Sequence, residues 1–231
     1  MNKIVSFSFN LMEEIMELSV SKTILCIKKF VHEQKNKREK GKPCYLKEDC
    51  LNLLEKILEI NKFEFAKKII ETYPGFLSDP ASKMYHGNYQ GGLFEHSIGV
   101  YAAALEVSRV SGLGVKSENV DAIACIFHDL CKVGLYKKYT KKDGSISYDY
   151  VKDFESIQHG PESLKRLLNI IINNNLPYRI SEAWQQAIAF HMASFDVGQD
   201  ERMKYTQACR NHPEVLLLHT ADMIESTIYN K

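Results

Sequence analysis

Apolar residues recur every three or four positions along most of the chain, which is the spacing of one face of an α-helix. Breaks rich in Gly, Asn, Asp or Pro separate these stretches. The predicted helices cover residues 11–31, 47–60, 64–73, 92–111, 118–131, 161–173, 181–193 and 213–228. The exception is Lys137 to Lys152, where an Asp-Gly turn between short polar and aromatic runs indicates a small hairpin or an ordered loop. The pattern therefore predicts an all-α fold, with helices packed on helices.

The spacing of the breaks divides the chain into two parts. Residues 1–75 predict an N-terminal helical extension, and residues 76–231 predict a larger helical domain. A polar and mostly basic stretch at residues 32–43 follows the first helix of the extension. We interpret this stretch as a solvated helix end followed by a loop, with a patch that contacts phosphate as the alternative.

The composition is that of an ordinary globular protein. Hydrophobic residues make up 45% of the 231 residues and charged residues 26%, which supplies enough apolar material to bury a core. The formal net charge of +1 gives no general attraction to nucleic acid or to an anionic membrane. Six scattered cysteines without a CxxC pair, and the lack of any run of about 18 apolar residues, predict a cytoplasmic protein with no membrane partner.

Five of the eight histidines stand at helix positions or helix edges among small or apolar neighbours. They are His96, His128, His159, His191 and His219. A buried imidazole needs a polar partner, and a divalent metal supplies one, because imidazole nitrogen and carboxylate oxygen both bind such ions. Asp129 follows His128 after an apolar run, and Asp222 lies four residues after Leu218 on the apolar face of the last helix. Both carboxylates are therefore expected to have a cationic partner.

The ordered set H…HD…H…H…D, which runs from His96 to Asp222, resembles the signature of the HD phosphohydrolase superfamily. The segments GGLFEHSIGV, HDLCKVG, HGPES, HM and LLLHTADMIES are particularly similar to the branch that contains HD-type bacterial 3′→5′ exoribonucleases and uncharacterised bacterial and phage hydrolases. The resemblance covers residues 80–228 and implies an HD-domain helical bundle. The chain lacks the HHE and GYP signatures of cyclic-di-GMP enzymes, and it lacks the oligonucleotide-binding domain of the exoribonucleases. Both differences argue against those two specific activities.

The resemblance also implies a metal site, residue by residue. The matching ligands are His96, His128, Asp129 and Asp222 for a first metal, and His159 and His191 for a second. Asp129 is placed to bridge the two ions. Two divalent cations are therefore expected, with Mn, Fe, Ni and Mg as the candidates.

Lys132 matches the lysine of the HDxxK pattern of binuclear phosphodiesterases and lies one helical turn beyond the HD pair. We expect it to act with Asp129 in catalysis by neutralising a phosphate oxygen, with a surface lysine beside the site as the alternative. The loop before the first ligand contains glycines that permit close approach of a substrate. The loop residues predicted to contact the substrate are His86, Tyr85 and Asn88.

Two more residues lie beside the predicted ligands. Cys131 is expected to be a small packing residue and not a nucleophile, since no base is assigned to it. His219, three residues before Asp222, is interpreted either as a residue that supports a metal ligand or as a histidine on the helix surface.

Metal-dependent hydrolysis of a phosphoester is the function that the sequence favours. The substrate would be a phosphorylated small molecule, a nucleotide or a short nucleic acid, and the enzyme a phosphodiesterase or phosphomonoesterase. Two alternatives stay open. One is a di-iron oxygenase, since one HD-like branch uses such a site for oxidation, and the other is a non-catalytic sensor module whose metals are structural or lost. The complete ligand set argues against the sensor.

Overall fold

A computed structural model of the chain describes residues 2–151, 158–193 and 202–229. This part of the chain is all-α, as predicted, and contains nine α-helices and one two-stranded sheet. The helices are α1 (Asn2–Glu39), α2 (Lys47–Ile57), α3 (Ile60–Thr72), α4 (Gly92–Val110), α5 (Ala122–Ile126), α6 (His159–Asn173), α7 (Glu182–Phe190), α8 (Arg202–Asn211) and α9 (Glu214–Ile224). A π-helical turn at Glu225–Tyr229 follows α9. Within the described ranges, no helix is both long enough and apolar enough to cross a membrane.

Helix α4 lies at the centre of the fold. It is buried on nearly all sides and packs against α1, α5 and α9. Helix α9 packs in turn against α7, and α7 packs against α6. Apolar side chains from all nine helices contribute to one continuous hydrophobic core. The division of the chain near residue 75 stays a prediction.

Helix α1 continues through most of the basic stretch that was expected to form a helix end and a loop. The helix continues to Glu39, and tertiary contacts hold its added turns in place. The buried amide of Gln34 accepts a hydrogen bond from the backbone N–H of Tyr45 at 2.8 Å, and Lys37 pairs with Asp49 at 2.7 Å. The predicted loop is therefore shorter than expected.

The predicted helix at residues 118–131 is replaced by a short helix, α5, and two 3₁₀ turns. Phe127 leaves the helical conformation (φ −111°, ψ 19°), and Asp129 is also non-helical (φ −106°, ψ 24°). A 3₁₀ turn at 130–132 follows. His128 and Asp129 therefore belong to an irregular buried segment and not to the interior of a helix.

Helix α8 was not predicted, because its sequence is mostly polar and shows no apolar period. Its contribution to the core is Ala208. The predicted hairpin is confirmed as strands β1 (Tyr136–Thr140) and β2 (Ile146–Tyr150). The strands are antiparallel, with Tyr136 opposite Tyr150. Lys152, the last residue of the predicted hairpin, lies outside the described residues.

Gly160 allows the start of α6 to lie very close to the end of α7. A Cβ atom at this position would lie 2.4 Å from the carbonyl oxygens of Ile188 and Ala189. Those oxygens belong to the backbone of α7, so they cannot move aside as a flexible side chain could. The close approach fixes the spacing between His159, the first residue of α6, and His191, which follows α7.

We expect Gly160→Ala to destabilise the protein, because the added methyl group would force α6 and α7 apart. Overpacking of this kind costs about 1–3 kcal/mol. Thermal unfolding followed by circular dichroism should show a lower Tm, whereas Lys165→Ala on the exposed face of the same helix should leave the Tm nearly unchanged. Equal Tm values for the wild type and Gly160→Ala would contradict the close packing of the two helices.

Candidate metal centre

Ring nitrogens and carboxylates from four parts of the fold converge in the core. His96 lies on α4, His128 and Asp129 follow α5, His191 follows α7, and Asp222 lies on α9. The three histidine side chains are 0% exposed, that of Asp129 is 1% exposed and that of Asp222 is 14% exposed. Groups of this polarity are costly to bury without partners. The cost of burying these groups must therefore be offset by favourable contacts at the centre of the cluster.

Asp129 lies in the middle of the cluster. Its Oδ2 atom lies 3.5 Å from Nε2 of His96 and 3.4 Å from Nε2 of His128, and its Oδ1 atom lies 3.5 Å from Nε2 of His191. Oδ1 of Asp222 lies 3.2 Å from Nε2 of His96. The Asp129 carboxylate thus turns one oxygen toward each of two histidine groups, as a bridging ligand would.

The residues form three overlapping groups, and within each group the potential ligand atoms lie within 4.8 Å of one another. The groups are His96 with His128 and Asp222, His128 with Asp129 and His191, and Asp129 with Cys131 and His159. All six predicted ligands are thus brought together. Nε2 of His96, of His128 and of His191, and Oδ1 of Asp129, are buried without a hydrogen-bond partner, despite the nearby carboxylates. Because buried polar atoms are almost always hydrogen-bonded, this set of lone pairs fits divalent cations.

Two of the histidine rings are oriented by the backbone. Nδ1 of His128 bonds to the carbonyl oxygen of Cys125, and Nδ1 of His191 bonds to that of Ile188, both at 2.8 Å. A carbonyl oxygen only accepts hydrogen bonds, so Nδ1 carries the proton, and in the neutral ring the lone pair lies on Nε2. Each histidine follows the end of a short helix and bonds to the carbonyl three residues before it. The early ends of α5 and α7 therefore turn these rings toward the cluster.

The other two histidines have side-chain partners at Nδ1. Nδ1 of His96 contacts the carboxylate of Glu225, and Nδ1 of His159 lies 3.4 Å from Sγ of Cys131. Glu225 was not among the predicted site residues, although its place three residues after Asp222 on the same helical surface was an available signal. Cys131 is buried, as predicted for a packing residue, but its thiol also contacts a predicted ligand.

The charges of the cluster shift the pKa values of its members. Burial opposes protonation of His96, but the carboxylates around it, above all that of Glu225, outweigh burial and hold its pKa well above the usual value. Burial also opposes ionisation of Asp129, but Lys132 and the neighbouring histidines hold its pKa well below the usual value. Without a metal, His96 is therefore protonated and Asp129 is ionised near neutral pH.

Lys132 lies in the cluster. Its Nζ atom is 2.6 Å from Oδ2 of Asp129, and its side chain is 12% exposed. Burial opposes the charge of this ammonium group, but Asp129 outweighs burial and raises the pKa of Lys132, so the group is cationic at neutral pH. Helix α6 holds the segment, since Ser163 accepts a hydrogen bond from the backbone N–H of Cys131, and Arg166 donates to two carbonyl oxygens of the turn.

Of the three loop residues predicted to contact the substrate, His86 packs against the cluster. Its ring centroid lies 4.7 Å from that of His96, and its Nε2 atom is buried without a hydrogen-bond partner. Burial, together with His96 and Lys132, lowers the pKa of His86 to about 3, so its ring is neutral. Oδ1 of Asn88 is also buried without a partner, whereas Tyr85 is 82% exposed.

Two further contacts support the site from outside. His219, for which support of a metal ligand was one of two interpretations, donates from Nδ1 to the carbonyl oxygen of His191 at 2.7 Å. Helix α1 reaches α4 through Arg38, which pairs with the buried carboxylate of Glu95 at 3.2 Å. Glu95 directly precedes His96. Helix α1 therefore contacts the helix that carries the first predicted ligand.

No family model matches the chain, and no solved structure matches it. A curated protein, the dihydroneopterin 2′,3′-cyclic phosphate phosphodiesterase of Methanocaldococcus jannaschii, is 32% identical over 108 residues. Over that region this chain is similar to a phosphodiesterase. The match covers 39% of this chain and 42% of the relative, so the chain spans less than half of the relative's length. The resemblance to the exoribonuclease branch stays a prediction.

Metal binding should release protons at pH 7, because the pKa of His96 and of His191 is raised in the metal-free protein and a ligand must lose its proton. Protons compete with the metal for these ring nitrogens. Lowering the pH therefore weakens metal binding, and raising the pH past the pKa of these histidines removes the competition. Calorimetric Mn²⁺ titrations in two buffers with different ionisation enthalpies measure the proton count. Identical heats in both buffers would show that no protonated ligand takes part.

Proposed function

We propose that this chain is an HD-type, metal-dependent phosphodiesterase that acts on a phosphorylated small molecule through two metal ions. The observation that carries the proposal is the buried set of nitrogen and oxygen atoms around Asp129 that have no hydrogen-bond partner. The similarity to a 2′,3′-cyclic phosphate phosphodiesterase supports hydrolysis of a phosphodiester and favours it over the oxygenase alternative.

The ligands divide into two sets that share one carboxylate. The first ion would be held by His96, His128 and Asp222, the second by His159 and His191, and both by Asp129. Six ligands are more than one tetrahedral site needs, which supports two ions. When bound, divalent cations supply Lewis acidity at the phosphoryl oxygens and a nucleophilic water at neutral pH. Four imidazoles among the ligands favour Fe or Ni over Mg, with Mn as a further candidate.

Lys132 supplies a positive charge next to these ligands. In the metal-free protein its ammonium group pairs with Asp129, and cations bound at Asp129 would release it to contact a phosphate oxygen. His86 and Asn88 are proposed to contact the substrate through their buried unpartnered atoms. Tyr85, at the surface of the same loop, is proposed to contact a part of the substrate that extends away from the metals.

Burial of the centre supports a small substrate. Asp222, with 14% of its side chain exposed, is more accessible than His96, His128 or Asp129. A compact phosphodiester reaches such a centre more readily than an internal phosphate of a long nucleic acid does. The formal net charge of +1 also provides no general attraction to a polyanion. We therefore place a cyclic or otherwise small phosphodiester first and a short nucleic acid second.

A substrate screen tests this proposal. Nucleoside 2′,3′-cyclic phosphates, cyclic dinucleotides and short RNA and DNA would each be incubated with Mn²⁺, Mg²⁺, Fe²⁺ or Ni²⁺. We expect turnover of a small phosphodiester, and we expect Asp129→Ala to lose both turnover and metal binding while its helical circular dichroism is retained. Asp143→Ala, at the exposed turn of the hairpin, is the control and should stay active. A protein with two bound ions that hydrolyses none of these compounds would favour the sensor alternative.

Lys132→Ala should lower kcat with little change in metal content, because the lysine stabilises charge in the transition state and does not hold metal. Loss of such a group typically costs on the order of 10²–10³ in rate, or about 3–4 kcal/mol of barrier. Lys138→Ala, which removes an exposed lysine of β1, serves as the matched control. Steady-state kinetics and metal analysis of the same preparations provide the measurement. An unchanged kcat with two ions bound would remove Lys132 from the mechanism.

A further inference from the structure

Glu225 contacts the side of His96 that faces away from the cluster. It is 4% exposed, and its carboxylate bonds to Nδ1 of His96. Asp222, one helical turn earlier, lies 3.2 Å from Nε2 of the same ring. The end of α9 therefore presents carboxylates to both nitrogens of His96, and the ring is held between them.

Gly99 provides the space that Glu225 occupies. It lies on α4, three residues after His96, and a Cβ atom there would lie 2.7 Å from Cγ and 3.0 Å from Oε1 of Glu225. Glycine weakens the interior of a helix, so a structural benefit is expected where one stands in the middle of α4. Here the benefit is a shallow groove on α4 that seats the carboxylate against His96.

The partner of His96 differs in charge from those of two other ligands. His128 and His191 bond to neutral backbone carbonyl oxygens, whereas His96 bonds to a carboxylate. A carboxylate at Nδ1 keeps the proton on that nitrogen, leaves the Nε2 lone pair for a metal, and raises the basicity of the ligand. It also adds negative charge close to a bound cation. The His96 side of the cluster, which also contains Asp222, is therefore the more strongly anionic side.

We propose that Glu225, seated against Gly99, is a positioning residue that makes the His96 side the tighter of the two metal positions. Metal would then bind in order, first at His96, His128 and Asp222, and second at the position that includes His191. This inference rests on the proposed two-metal function. Loss of an outer partner of this kind typically lowers metal affinity about 10–100-fold.

Mn²⁺ titrations of the full chain, with free Mn²⁺ measured by electron paramagnetic resonance, test the proposal. The wild type should bind two ions with separate affinities. Glu225→Gln retains the shape and a hydrogen-bond acceptor but loses the charge, and it should weaken the tighter phase about 10–100-fold while the weaker phase stays unchanged. Gly99→Ala should act in the same direction, because it displaces the carboxylate without removing it.

Glu106→Gln is the matched control, since Glu106 is a carboxylate on the same helix, α4, that pairs with Lys28 and lies ten residues after His96. It should leave both binding phases as in the wild type, and the Tm of each metal-free variant shows whether it is folded. If Glu225 has a purely structural role, Glu225→Gln should shift the affinities of both binding phases or of neither, and either result would overturn the proposal. Equal affinities of the two phases in the wild type would overturn it as well. If the wild type never binds more than one ion, the two-metal function fails. In that case, an unchanged single affinity in Glu225→Gln would also overturn the positioning role.

Discussion

The rest of the structure depends on one constraint, the burial of three imidazole nitrogens and one carboxylate oxygen that have no hydrogen-bond partner. Each buried polar atom left unsatisfied costs about 1–3 kcal/mol, and here four of them lie within one cluster around Asp129. The apolar core formed by all nine helices stabilises the fold that carries this cost. A cation at the cluster would recover it, because the same atoms would then have a partner once His96 has lost its proton.

The fold positions these groups by ending helices and by bringing helices close together. Helices α5 and α7 stop just before His128 and His191, and each ring then bonds to the last turn of its own helix. Two glycines let neighbouring helices come close together. Gly160 brings α6 against α7 and thereby His159 toward the cluster, and Gly99 makes room on α4 for a carboxylate of the α9 end. Together, these features bring the Nε2 atoms of His96, His128 and His191 close to the carboxylate of Asp129.

The helical period was enough to predict the all-α fold, and the ordered histidines and aspartates were enough to predict which side chains meet. The break at Phe127 could not be predicted, because the apolar pattern continues through it and the break depends on packing around the buried segment. The extension of α1 to Glu39 depends on contacts with distant residues, and α8 has too few apolar positions to show a period. Glu225 stood at the end of a predicted helix, but its role depends on which residue of α4 it faces.

The central claim is that the buried histidine and aspartate cluster holds two metal ions. Anomalous diffraction from crystals of the full chain grown with Mn²⁺ tests it most directly, because the signal locates the ions without reference to activity. We expect two anomalous peaks in contact with Asp129, one beside His96 and Asp222 and one beside His159 and His191. Peaks bound elsewhere on the chain, with this cluster free of metal, would contradict the account.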